Sequence, residues 1–129
     1  MPQPMSAPPH AEEIIALERV ALERWCKGDP SGFLEISAED VVYFDPFVPS
    51  RIDGKDKLTA HCEPLRSQIY ADRFELLHPK VQGNDTLAVL TFDFISWSGE
   101  AKSRWHCTEV YRRDLVGWRL IQTHWSMPH

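Results

Sequence analysis

From Phe74 to Ser126 the chain passes through four successive runs rich in strand-forming residues, with apolar and polar residues alternating through much of each, and no helical period interrupts them. A period of two marks a half-buried strand. Residues 74–82, 86–97, 102–113 and 117–126 are therefore expected as strands. Gly83-Asn84-Asp85, Ser98-Gly99-Glu100 and the stretch from Asp114 to Gly117 supply the turns. Connections this short make consecutive strands antiparallel neighbours, so the second half of the chain is a meander. One face of such a sheet must be covered, and the first half of the chain is what can cover it.

That half begins with a helix. At about 100° per residue, Ile14, Ile15, Leu17, Ala21, Leu22, Trp25 and Cys26 fall on one side of residues 11–26. Glu12, Glu13, Arg19, Glu23 and Arg24 take the other side. Glu18 breaks the rule, lying inside the apolar arc between Trp25 and Leu22. Gly28-Asp29-Pro30 stops this helix, and a short second one is expected from Pro30 to Ile36. Val41-Val42-Tyr43-Phe44 is β-branched and aromatic, hence a strand, ended by Asp45-Pro46. A third helix should run from Gly54 to Ser67, with Pro64 as its weak point. Residues 1–10 hold four prolines and read as a flexible N-terminal arm before one domain at 11–129.

Composition narrows the function. Fourteen Lys and Arg against 19 Asp and Glu give a net charge of −5, which disfavours a nucleic-acid partner. No apolar run approaches the roughly 20 residues of a membrane span, and none is expected. Cys26, Cys62 and Cys107 are odd in number and widely spaced, which fits reduced thiols and a cytoplasmic protein. No His-x-x-x-His or Cys-x-x-Cys spacing occurs, so neither a metal nor another cofactor is expected.

If Arg113 pairs with Trp118, regular antiparallel pairing sets Tyr111 opposite Leu120, Glu109 opposite Gln122 and Cys107 opposite His124, on one face with Trp105. The other face then carries Arg104, His106, Thr108, Val110, Ile121, Thr123 and Trp125. A loop one residue shorter swaps the faces of the last strand.

Several pieces also line up, in order, with a known family. They are Glu13-Ile14-Ile15, Gly28-Asp29, Phe44-Asp45-Pro46, Gly54 and Gly83-Asn84-Asp85. Tyr111-Arg112-Arg113-Asp114 leading into Gly117-Trp118, and His124-Trp125-Ser126, complete the set. On these residues the chain resembles the nuclear transport factor 2-like superfamily, which includes SnoaL-like domains. Within it, the nearest likeness is to the association domain of calcium/calmodulin-dependent protein kinase II. The resemblance implies an α+β cone, a curved antiparallel sheet with a mixed edge wrapped around N-terminal helices. It also implies one deep pocket for a small molecule and a homodimer through the outer sheet face. Members include isomerases, dehydratases, epoxide hydrolases, polyketide cyclases and plain oligomerisation modules, so fold alone does not name a reaction.

The resemblance favours the first register, because Glu109 and His124 then match its pocket-lining positions, and Asp93 matches a third. Asp93, Glu109 and His124 are the expected catalytic groups, with Glu18, Tyr43, Asp45 and Gln122 beside them. Trp25, Trp97 and Trp105 offer π faces to a ligand. Carboxyl groups crowded in an apolar hollow cannot all ionise, and a protonated acid beside an ionised one is an acid/base pair. Each residue also has a plainer reading: Asp93 as half-exposed or salt-bridged, Asp45 as a turn former, His124 as a core histidine. His61 has no acid partner at helical spacing. The expected activity is carboxylate acid/base chemistry on a small apolar substrate; the alternative is a non-catalytic ligand-binding or oligomerisation module.

Overall fold

The computed structural model describes residues 10–128. The expected arm at 1–10 lies outside that range except for His10, whose ring packs 5.3 Å from that of Trp118. The elements are α1 (Ala11–Trp25), α2 (Ser31–Ile36), β1 (Ser37–Phe44), β2 (Ile52–Asp53), α3 (Lys55–Cys62), β3 (Arg73–Gly83), β4 (Leu87–Ser98), β5 (Ala101–Arg113) and β6 (Trp118–Ser126). Their sheet order is β2-β1-β6-β5-β4-β3. Strands β3 to β6 form the antiparallel meander that the alternation demands. Strand β1 joins β6 in parallel, and the short β2, which the sequence did not announce, folds back antiparallel on β1. The result is an α+β cone with a mixed edge.

Local chemistry sets the boundaries. Pro64 cannot continue an α-helix, so α3 stops at Cys62 and a tighter 3-10 turn follows at Glu63–Leu65. Gly28 ends α1 at φ +81°, and the chain at Ser67 and Tyr70 lies so close that a side chain there would collide. In the core, α1 lays Ile14, Glu18 and Leu22 against Leu90, Tyr111 and Leu120 of the sheet, all essentially without exposure. A smaller cluster joins Leu34, Val41, Leu58 and Cys62, with Tyr43 and Ile52 packed against it.

The last hairpin departs from regular pairing. Arg113 pairs with Trp118 and Tyr111 with Leu120 as expected, but the next partners are Val110 with Gln122, Glu109 with Thr123 and Cys107 with Trp125. Strand β6 therefore carries one extra residue, Ile121, in a bulge. A one-residue slip exchanges the faces of everything beyond it, and the added twist helps close the cone. Thr123 and Trp125 point inward, whereas Gln122 and His124 are exposed on the outer face. A second irregularity falls in β3 between Leu77 and Lys80, where His78 adopts φ +54°. Pro79 follows it and has no N–H to give to the ladder.

Candidate active site

Two glutamates meet inside the cone. Glu18 comes from α1 and Glu109 from β5, and neither has any exposed surface. Tyr111, two residues along β5 on the same face, donates its hydroxyl to Glu18 Oε1 at 2.7 Å. Glu109 hydrogen-bonds Glu18, and the Cys107 thiol donates to Glu109 Oε1 at 3.4 Å. If both groups were ionised, Glu18 Oε2 and Glu109 Oε2 would be buried with no donor. A single proton held by Glu109 and donated to Glu18 satisfies the pair. Burial, then the charge of Glu18, pushes the Glu109 acid well above the usual carboxyl range. Burial also raises Glu18, with the hydrogen bonds from Glu109 and Tyr111 pulling the other way. The Tyr111 phenol and Cys107 thiol are raised as well, again chiefly by burial, so both stay protonated donors. The interior thus holds a neutral carboxylic acid beside a carboxylate.

A second polar cluster sits toward the surface. Near the end of β1 stands Tyr43, whose hydroxyl donates to Asp45 Oδ2 at 2.8 Å. Asp45 Oδ1 accepts the backbone N–H groups of Phe47 and Val48, an Asx turn that starts the β1–β2 loop. From α3, His61 brings Nε2 to 3.6 Å from the same Asp45 Oδ2, with its ring 5.5 Å from that of Tyr43. The sequence did not single out His61, because its acid partner lies on another element instead of one turn away. Burial first, and then the Asp45 bond, hold the Tyr43 phenol above its usual range. Strand pairing links the two clusters: Tyr43 lies opposite Thr123, and Thr123 opposite Glu109.

Aromatic rings fill the space beside this row. Trp105 and Trp125 pack at 6.1 Å, Trp125 meets Phe92 and Phe94, and Phe94 meets Phe74. The exposed Phe47 of the Asp45 loop sets its edge against Trp105 at 6.1 Å. Trp25 lies edge-on to Phe33 at 6.2 Å. Both Trp25 and Trp105 are only partly buried against the core.

Four expected site residues are elsewhere. Asp93 pairs across the sheet with His106, one step out of phase with the inward Leu90, Phe92 and Phe94, so it stands on the outer face. Its carboxylate lies 3.2 Å from His78 Nδ1 and 3.5 Å from His106 Nε2, beside a hollow of about 270 Å³. His124, turned outward by the Ile121 bulge, packs on Phe44 at 5.3 Å and with Gln122 borders a second outer hollow of about 320 Å³. Trp97 shares the phase of Asp93 and takes the Arg73 guanidinium at 4.0 Å and the Lys102 ammonium at 5.7 Å. The bulge also moves Trp125 from the outer face, where regular pairing would put it, to the interior. Among the described residues no group of three or more His, Cys, Asp or Glu is placed to hold a metal ion.

Comparison with known proteins follows the same lines. A family model for the SnoaL-like domain matches residues 18–115. A solved structure from Parabacteroides distasonis, provisionally assigned as a ketosteroid isomerase, is 39% identical, with a TM-score of 0.82 over 92% of this chain and 87% of that one. An NTF2-like protein of unknown function from Pseudomonas putida is 27% identical, with a TM-score of 0.81 over 92% and 86%. The calcium/calmodulin-dependent protein kinase II hub of S. rosetta shares the fold at 18% identity, with a TM-score of 0.75 over 98% and 100%. A comparison with curated proteins finds no match. The chain belongs to the SnoaL-like domain family, within the nuclear transport factor 2-like superfamily and its cystatin-like fold.

Proposed function

We propose that this protein is a cofactor-independent proton-transfer enzyme of isomerase or dehydratase type, acting on a small, largely apolar molecule. The observation that carries the reading is the Glu18–Glu109 pair with the Tyr111 hydroxyl upon it. A carboxylic acid kept neutral by an apolar site can donate to a developing oxyanion, which is how ketosteroid isomerases use one. The provisional assignment of the Parabacteroides protein as a ketosteroid isomerase supports the same chemistry. The aromatic cluster around Trp105 and the partly buried Trp25 favour a flat ring as substrate. Three buried free cysteines agree with a reducing, cytoplasmic setting. A homodimer through the outer face would cover Phe44, Val110 and His124, which border its second hollow.

The test is proton exchange. In D2O, 2-tetralone, a flat ketone with acidic C–H bonds, should take up deuterium faster with protein than without. Glu109→Gln, which keeps shape but cannot pass a proton, should slow that uptake by about 10²-fold or more. Complete burial of both acids favours a second reading, a non-catalytic binding or oligomerisation module whose acid pair is structural. That reading expects no protein-dependent uptake.

A further inference from the structure

The proton-transfer reading, on which this inference rests, leaves the base unassigned. Glu18 is fully buried and already accepts hydrogen bonds from Tyr111 and Glu109. A base has to reach the substrate and return its proton to water or product, and Glu18 has access to neither. We propose that His61 is the general base of this site, and that Asp45 is its positioning residue.

Geometry assigns the roles. Asp45 is anchored through Oδ1 by two backbone N–H groups and through Oδ2 by the Tyr43 hydroxyl. Its side chain is 12% exposed and that of His61 28%, so the carboxylate is held in place while the imidazole faces both protein and solvent. A carboxylate oxygen 3.6 Å from Nε2 favours the tautomer with the proton on Nε2 and the electron pair on Nδ1. This is the arrangement by which a carboxylate makes an imidazole a base. Tyr43 cannot serve instead, because its proton is committed to Asp45.

The row Tyr43–Thr123–Glu109 crosses two strand spacings, so the two end backbones are about 10 Å apart. A molecule of one or two fused rings would present its acidic C–H to His61, whose side chain is 28% exposed. Phe47 and Trp105 supply apolar surface beside it. In the step itself, Nδ1 of His61 takes the proton of the C–H bond. The electron pair released becomes the C=C bond of the enolate, and the carbonyl oxygen carries the charge. Return of the proton from Nδ1 to the same or the conjugated carbon restores both partners, with no oxidant or reductant.

Two measurements on the intact chain test this. Nitrogen-15 NMR should show His61 as the Nε2–H tautomer, with a mixture of tautomers in Asp45→Asn. Deuterium uptake by 2-tetralone should fall by about 100-fold in His61→Ala and recover in part with added imidazole, while the probe still quenches tryptophan fluorescence at the wild-type midpoint. His61→Gln serves as a second variant should the alanine protein misfold. Wild-type uptake that drops by less than about tenfold in both variants, or an Nδ1–H tautomer, overturns the His61 assignment and leaves the enzymatic reading standing. Wild-type protein that causes no uptake overturns both.

Discussion

Glu109 and Thr123 face each other across β5 and β6, where unbroken pairing would have set Glu109 against Gln122. The unbroken alternation of β5 holds Glu109 inside with Cys107 and Tyr111, while this displacement sends Gln122 and His124 to the outer face. The interior is left with one imidazole-free acid pair and the outer face with three histidines, His78, His106 and His124.

The acid pair fixes how stability should depend on pH. In the unfolded chain a glutamate titrates near 4.3, whereas Glu109 folded holds its proton well above that. Between these two values the folded state binds the extra proton, so stability is fully present at acid pH and declines as pH rises. Asp29 works in the opposite sense, being lowered to about 2 by Arg24, but its effect is confined to pH below about 4. Urea titrations from pH 5 upward should therefore give falling unfolding free energy for the wild type and a flatter profile for Glu109→Gln. Parallel profiles would place the buried proton elsewhere.

Tyr111→Phe removes the donor to Glu18 Oε1 without altering the shape of the ring. A buried carboxylate oxygen left unpaired costs about 1–3 kcal/mol. The same change in a Glu18→Gln background should cost less, because the charge that needed the donor is gone. Equal losses in the two backgrounds, read from chemical denaturation, would mean that the hydroxyl matters for packing alone.

How much of this was legible beforehand depends on what each residue's position rests on. Glu18 stood out because a lone acid in an apolar helical arc has to be answered by something across the core. Strand limits, turns and the first pairs of the last hairpin followed from alternation and glycine placement. Asp93 and His124 did not, for two distinct reasons. In Val89 to Ile95 nearly every residue is apolar, so alternation does not say which set is inside, and Leu90, Phe92 and Phe94 take the interior. For His124 the alternation is broken by Ile121, and a bulge has no mark in this stretch of sequence. His61 was passed over because no acid lies at helical spacing from it, and Asp45, which precedes α3, is brought to it by the β1–β2 turn.

The outer-face placement of Asp93 is itself testable. Its side chain is 46% exposed and its partners His78 and His106 more so, and exposed ion pairs contribute about 0–1 kcal/mol. Asp93→Asn should leave the unfolding free energy within about 1 kcal/mol and leave 2-tetralone exchange at the wild-type rate. A large loss of exchange in a folded Asp93→Asn protein would mean that the outer hollow, and not the interior, is where the chemistry occurs.

Trp25 distinguishes packing from binding on the α1 side. It follows Ile14, Glu18 and Leu22 on the inward face of the helix and sets its ring edge-on to Phe33 of α2, yet it is only partly buried. Full truncation of a core tryptophan costs about 3–5 kcal/mol, and a half-covered ring belongs at the lower end of that range. Trp25→Ala should therefore remain folded but lose about 3 kcal/mol in denaturant titrations, and Trp25→Phe should recover most of it. If the indole also meets ligand, the phenylalanine variant will bind 2-tetralone more weakly even though its stability is restored. Unchanged binding in that variant would confine Trp25 to joining α1 with α2.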